Sequence, residues 1–499
     1  MSHWCAFWAR WNPAGVALVH AGRPYRWAWL ESEVAAMAGR LRAVGIGLGD
    51  RVGILAHNRP EFVVALIAVA RLGAVLVPFN PRLTHPEVRE AAALVEPTLV
   101  LTEPSFRHVV AGVVDEAATI DLDDPEPFGP GPVTPVGVDD GPDLAPDDAV
   151  LICFTSGTTG RPKGAVLTHG NAAAVAEATA IVTGLTQADV SLVPAPLAFA
   201  GSSGAVAIPL LRCGGTLVLD QGADPEFLLW QVERLRVTQL GVVPVIYERM
   251  AAHPAFGSAD LSSLRVARCG GSSVSPSLVE AWRSRGVPLV TSYGLTEATG
   301  FAIQMPPARM DDKHGLTGLP ITGLACRVVA DDGRVAEPGT PGELQLRGRT
   351  VMRGYWQDPG ETRAALTEDG WLRTGDLAVS DDEGFVGIVD RIKDMLISGG
   401  INVYPAEIER VLAGTPGVRE LAVVAEPHRR WGEVPVAVVV ASDRPLAERG
   451  LVETARARLA DFKRPRRIVF VDELPRNSTG KIMKADLRAV VTKGRDLDA

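Results

Sequence analysis

Three features of the sequence predict an α/β fold of doubly wound parallel sheets, joined to a smaller antiparallel β unit and a compact α+β domain. Helical spacing and short apolar strands alternate through the first 120 residues and again from 151 to about 290, the pattern of parallel sheets covered by helices. The segment Gly342-Glu343-Leu344-Gln345-Leu346-Arg347-Gly348 alternates with period two and ends in a basic glycine turn, which predicts an antiparallel unit over roughly 318–389. After Arg391-Ile392-Lys393-Asp394 the character changes, and about a hundred residues follow, the size of one small domain.

The elements follow in order. Residues 32–44 have helical spacing, 51–56 read as a short buried strand, 61–70 as a helix, and 74–78 and 98–102 as further strands. Asp, Pro and Gly crowd 121–148, which predicts an exposed connection. The last unit reads as helix 405–413, strands 418–424 and 434–440, helix 451–459 and strand 467–471. This divides the chain into an N-terminal region over 1–390, a charged hinge at 391–394 and a C-terminal domain over 395–499.

Composition bounds the function. With 499 residues, 46% of them apolar and 22% charged, the chain buries a sizeable core and exceeds one ordinary domain. A net charge of −9 argues against a nucleic-acid surface. The longest apolar stretch, 62–79, is interrupted by Arg71, Gly73 and Pro78 and reads as helix plus strand, not as a membrane span. The N-terminus lacks a basic region followed by an apolar one, and the five cysteines have no metal-ligand spacing. We therefore expect reduced thiols and a cytoplasmic protein.

The chemistry gathers in a few loops. Phe154-Thr155-Ser156-Gly157-Thr158-Thr159-Gly160-Arg161-Pro162-Lys163-Gly164 follows an apolar strand. Glycines that admit backbone N–H groups, hydroxyls that donate and an amine that offsets charge suit a polyphosphate; taken alone the run reads equally as a turn. It is not a Walker A loop, since no Ser or Thr follows Lys163. Tyr293-Gly294-Leu295-Thr296-Glu297 closes another strand, where ligands of open α/β sheets bind. Glu297 offers a hard oxygen to Mg²⁺, Thr296 a hydroxyl to a phosphate and Tyr293 a flat face to a base. Asp376, in Thr374-Gly375-Asp376, can accept from both hydroxyls of a ribose or simply cap a turn. Arg391 lies at the compositional boundary, and Lys481 sits in the polar loop Pro475-Arg476-Asn477-Ser478-Thr479-Gly480-Lys481.

Together, in this order, these motifs resemble those of the adenylate-forming superfamily: acyl-CoA synthetases, adenylation domains of peptide synthetases and luciferases. The resemblance rests on 155–164, 293–297, 342–348, 374–376, 390–394 and the loop around Lys481, and it covers essentially the whole chain. It implies two doubly wound subdomains plus a small β-barrel, then a mobile α+β C-terminal domain. It also implies a two-step ligation that uses ATP, Mg²⁺ and CoA: a carboxylate takes the α-phosphate to give acyl-AMP, and a thiol then takes the acyl group.

By the same resemblance, Thr155, Ser156, Gly157, Thr158, Thr159 and Lys163 would line the triphosphate. Gly271, Ser272, Ser273 and Tyr293 would form the adenine slot, and Asp376 and Arg391 would hold the ribose. Glu297 would hold Mg²⁺, Thr296 would contact the α-phosphate, and Lys481 would bridge carboxylate and α-phosphate. Lys393 would be the hinge residue, and Gly399 and Gly400 would leave a passage for pantetheine. Phe199 stands where many relatives carry His, and Ala200 where amino-acid-activating relatives carry Asp, so an amino-acid substrate is disfavoured. Phe199, Gly201, Ser202, Ser203, Gly204, Val245, Gly270, Gly271 and Ala298 would wall the acyl pocket. Only 78 residues separate Glu297 from Asp376, the spacing of relatives without the insertion of carrier-protein-loading ligases. The expected substrates are therefore a fatty acid, ATP and CoA, with an aryl acid or transfer to an acyl carrier protein as alternatives. A homodimer is left open.

Overall fold

The computed structural model describes residues 1–124, 134–156, 162–220, 222, 224–272, 274–398, 401–442, 448–476 and 482–495. The chain forms two compact units: Met1–Cys326 with Leu346–Arg373, and Arg327–Gln345 with Thr374–Ala499.

The first unit holds two doubly wound sheets. In the seven-stranded sheet, Arg51–Leu55 lies between Val75–Pro78 and Leu99–Thr102, all parallel. Val75–Pro78 and Leu99–Thr102 are buried at every position, as parallel strands covered on both faces must be. The helix Pro60–Arg71 is apolar all round because it too is covered all round; its Pro60 start and Glu61 in the first turn fit the helix N-terminus. At one edge the parallel order gives way to an antiparallel hairpin, Ala149–Ser156 with Pro162–Thr168, to which Gly354–Tyr355 adds antiparallel.

The nine-stranded sheet runs in the order Leu319–Pro320, Ile303–Gln304, Leu289–Tyr293, Val266–Gly270, Gln239–Val242, Val190–Leu192, Thr216–Val218, Val16–His20 and Arg23–Arg26. Its six central strands are parallel and its edges antiparallel. The strand Val16–His20 and an N-terminal helix, Ser2–Trp11, are elements the sequence patterns did not predict.

In the second unit, residues 327–345 and 374–391 supply most of a four-stranded sheet in the order Leu324–Val329, Gly342–Gly348, Leu372–Ser380, Val386–Arg391. The C-terminal part is built on a hairpin, Val418–His428 with Gly432–Ala441, longer than the sequence predicted. Side chains of Gly432–Ala441 alternate between two cores. Ala437 and Val439 pack with Ile408 and Leu451 of the helices Pro405–Leu412 and Glu448–Arg458, and Val436, Val438 and Val440 with Leu487 of Lys484–Arg495. Among the described residues no helix is long and apolar enough to cross a membrane. All five cysteines are free thiols.

One backbone contact in the first unit matters for the site. Gly300 has φ +84°, and a Cβ there would run into the carbonyl oxygen of Ala200. Gly300→Ala should therefore lower the unfolding free energy by about 1–3 kcal/mol or more in urea titration. Gly201→Ala, where a Cβ meets nothing within 4 Å, should leave it nearly unchanged.

Candidate active site

The hairpin that carries the glycine- and hydroxyl-rich run places Thr155 opposite Lys163 and Ser156 opposite Pro162. Residues 157–161, and with them Gly157, Thr158 and Thr159, lie outside the described residues, as does the side chain of Ser156. Cys153, in the same strand, is buried, which pushes its thiol up to about 12, so it packs and does not react. Lys163 Nζ sits 2.5 Å from Glu361 Oε2 and 5.3 Å above the Tyr355 ring. Glu361 occupies the first turn of the helix Pro359–Ala365, whose N-cap Asp358 accepts from the Glu361 amide at 2.9 Å.

Tyr355 pairs with Ala165 of the hairpin, and its hydroxyl donates to Glu297 Oε1 at 2.7 Å. Burial first, and then the neighbouring Glu297 carboxylate, push the phenol well above its ordinary range. The Glu297 carbonyl also accepts from the Met352 amide at 2.8 Å. Lys163 and Glu297, 134 positions apart in the sequence numbering, thus flank one tyrosine ring.

The nine-stranded sheet supplies the other wall. Val266–Gly270 and Leu289–Tyr293 are parallel neighbours with Gly270 beside Ser292, so their C-terminal ends lie side by side. Gly271 and Ser272 are exposed just past one end; Tyr293 closes the other and is half-buried. One 3₁₀ turn, Thr296–Ala298, then carries Thr296 and Glu297. Ser273 lies outside the described residues.

In the second unit, Asp376 and Arg391 face each other across antiparallel strands, with Arg391 Nε 2.9 Å from Asp376 Oδ1. The carboxylate side chain is 5% exposed and the guanidinium side chain 40%. The turn before Asp376 is fixed locally. Gly375 takes φ +67°, its amide donates to Glu343 Oε1 at 3.2 Å, and the Thr374 hydroxyl donates to the Leu344 carbonyl at 2.7 Å. Lys393 is exposed in the turn Ile392–Asp394. Gly399, Gly400 and Lys481 lie outside the described residues.

Sequence reasoning missed Tyr355 and Glu361. Asp358-Pro359-Gly360-Glu361 is a legible helix start, an N-cap followed by proline. Nothing local, however, announces that its glutamate meets a lysine 198 positions away. As for a metal, Glu297 holds Tyr355 through one carboxylate oxygen and keeps a second, and hydroxyls stand nearby in sequence, a donor set that suits Mg²⁺.

A fold of two doubly wound sheets with a separate α+β unit, and a site divided between strand ends and a glycine-rich hairpin, describe a nucleotide-using ligase. The family model of the AMP-binding enzyme matches residues 6–356, and that of the AMP-binding enzyme C-terminal domain matches 407–481. The chain belongs to this family, the adenylate-forming superfamily, as an AMP-forming acid–thiol ligase. It is 40% identical over 495 residues to a feruloyl-CoA synthase of an Amycolatopsis species, with 98% of each chain covered. It is 36% identical over 462 residues to a long-chain-fatty-acid–CoA ligase of Mycobacterium tuberculosis, covering 90% of this chain and 89% of that one. Among solved structures, the o-succinylbenzoate CoA synthetase of Bacillus subtilis, in complex with its acyl-adenylate intermediate, superposes with a TM-score of 0.88 at 31% identity over 97% of both chains. The same enzyme has been solved with ATP and a magnesium ion.

The Tyr355–Glu297 bond has a measurable consequence at high pH. The folded chain keeps a phenolic proton that the unfolded chain releases near pH 10, so this tyrosine costs stability as pH rises past about 10. Between pH 10 and 11 the fall in unfolding free energy should be shallower in Tyr355→Phe, by up to about 1.4 kcal/mol per pH unit. Urea titrations at the two pH values measure it.

Proposed function

We propose that the chain activates a carboxylic acid with ATP, as acyl-AMP and pyrophosphate, and transfers the acyl group to CoA. A carboxylate oxygen bonds to the α-phosphorus as the bond to pyrophosphate breaks. The CoA sulfur then bonds to the acyl carbon and AMP leaves. The observation that carries this reading is the Lys163–Tyr355–Glu297 arrangement, which joins the hydroxyl-bearing hairpin to the turn after Leu289–Tyr293.

The first step is a problem of charge. A carboxylate must approach a polyanion, and cationic and hydroxyl side chains must hold both. Lys163, with Thr155, Ser156, Thr158, Thr159 and the Gly157 backbone, would bind the triphosphate; Lys163 would exchange Glu361 for phosphate. Thr296 would donate to the α-phosphate, and Gly271, Ser272, Ser273 and Tyr293 would flank the adenine. The ribose hydroxyls would donate to Asp376, with Arg391 beside it. Glu297 would hold Mg²⁺, which supplies further neutralisation of phosphate charge. Lys481 would bring the two reactants together. We take 391–394 as the pivot between 1–390 and 395–499, with Lys393 at its centre and Gly400 beside the thiol's path.

Relatives of similar identity act on a phenolic acid and on long-chain fatty acids by their names. The acid is therefore best found with a panel from short to long chains plus benzoates and cinnamates, read by pyrophosphate release and acyl-CoA formation. Acid-dependent release without CoA, followed by thioester when CoA is added, is the expected result. Acyl transfer only to a phosphopantetheinyl carrier would exclude CoA as acceptor. Lys481→Ala should lose adenylation by about a hundredfold or more while still converting supplied acyl-AMP to thioester. Equal loss of both steps would contradict the division of labour.

A further inference from the structure

Arg268 is a buried cation with no anion among the described residues. It lies in the strand Val266–Gly270, two residues before its C-terminal end, and is only 6% exposed. Its neighbour on one side is Gly241, where a Cβ would stand in ordinary contact with the guanidinium, 3.5 Å from Nη2 and 3.7 Å from Nε. Nη2 donates to the Ala205 carbonyl at 2.8 Å, and the guanidinium carbon sits 5.1 Å from the centre of the Phe301 ring. Among the described residues no carboxylate pairs with it. Tyr247 is close enough to interact, but its hydroxyl donates to the Leu240 carbonyl. Burial pushes the guanidinium down to about 10, the mark of a charge whose lost hydration the protein does not replace.

The surroundings point toward the acyl site. Ala205 belongs to the π-helical turn Ser203–Ala207 that continues Ala200–Ser202, directly after Phe199. Such turns gather at functional sites. Phe301 follows Gly300, whose backbone packs on Ala200. Gly270 and Gly271 lie two and three positions further along the Arg268 strand. The guanidinium therefore sits where the segments 199–207, 268–271 and 300–301 meet, and these include most of the residues the sequence marks as acyl-pocket walls. Among the described residues only Nη2 of its donors has an acceptor, and Nε and Nη1 are not among the atoms sealed from accessible space, so they are open to a ligand.

We propose that Arg268 determines substrate choice, its free guanidinium donors binding an oxygen acceptor on the tail of the acid, so that the substrate is an oxygen-bearing carboxylic acid and not a plain alkyl one. The inference rests on the ligase reading above and sharpens it. The tail oxygen is a hydroxyl, an oxo group or a second carboxylate; a carboxylate best matches the forked donors and supplies the missing charge.

The test uses the full chain and matched acids: adipate against hexanoate, and 4-hydroxycinnamate against cinnamate, with pyrophosphate release giving kcat and KM for each. Wild-type enzyme should favour the oxygen-bearing member of at least one pair by roughly tenfold or more in kcat/KM. Which pair responds tells anionic from neutral acceptors. Arg268→Met, of similar length, should abolish that preference mainly through KM for the acid, with KM for ATP unchanged; Arg268→Lys should restore part of it. A wild-type enzyme that activates these acids with no preference for tail oxygen overturns the Arg268 assignment alone, and so does a variant that loses all acids equally. No pyrophosphate release with any acid would overturn the ligase reading itself. The wild-type preference decides the matter even if the Met variant does not fold.

Discussion

Repulsion between two anionic substrates is the constraint on which this site depends. Cations must be present to overcome it, yet they must not be stranded when no substrate is there. In the first unit Lys163 rests on Glu361 while Glu297 accepts from Tyr355. In the second unit Arg391 rests on Asp376. Each pair leaves at least one partner more than a third exposed, or, for Glu297, only half-buried. Pairs in such wet surroundings are worth about 0–1 kcal/mol, so exchanging an internal partner for a phosphate or a ribose costs little. On the proposed reading, partner exchange, instead of a pocket lined with bare charges, would keep these cations stable and still ready to bind.

Arg268 breaks that pattern. Lys163 and Arg391 have carboxylates and solvent; Arg268 has a carbonyl, an aromatic face and almost no water. The difference lies in position. The paired cations stand at strand edges, where on the proposed reading a polyphosphate or sugar would arrive with its own hydration. Arg268 stands inside the sheet, two residues short of the strand end, where on our proposal the tail of the acid would meet it. The close backbone packing of Gly300 on Ala200 fixes the two segments that flank it, so its donors are held in place before any ligand binds.

What the sequence made legible follows from how the parts are buried. Strands covered on both faces must be apolar throughout, so 74–78 and 98–102 stood out and reappear as Val75–Pro78 and Leu99–Thr102. The period-two segment at 342–348 reappears as the strand Gly342–Gly348. Motifs at strand ends were legible because glycine and hydroxyl residues interrupt apolar runs there. The helix Ser2–Trp11 was not, since its aromatic residues give no clean periodicity, and Lys484–Arg495 was not, since its sequence is mostly charged and polar with few apolar positions to mark a face. Partnerships were hidden altogether. Glu361 is an ordinary first-turn acid until the fold brings Lys163 to it, and Arg268 is one polar residue in a strand whose neighbours supply no acid.

The proposed pivot shows what a domain movement would have to break. Asp390, before the pivot, accepts through Oδ2 from the Ala406 amide at 2.8 Å, beyond it. The same carboxylate accepts from the Arg391 amide through Oδ1 at 2.8 Å, a bond that stays on its own side. Asp394 pairs with Arg488 at 3.1 Å, and both lie beyond Lys393, so a rotation about Lys393 carries them together. Of these contacts only the Asp390–Ala406 bond spans the turning point, and a hydrogen bond to a charged acceptor is worth about 1.5–3 kcal/mol. An exposed lysine flanked by an anchored aspartate on either side is then a sound place to turn. In the proposed rotation the backbone would turn at Lys393, exposed like Ile392 beside it, while Asp390 and Asp394 would keep the segments on each side in register.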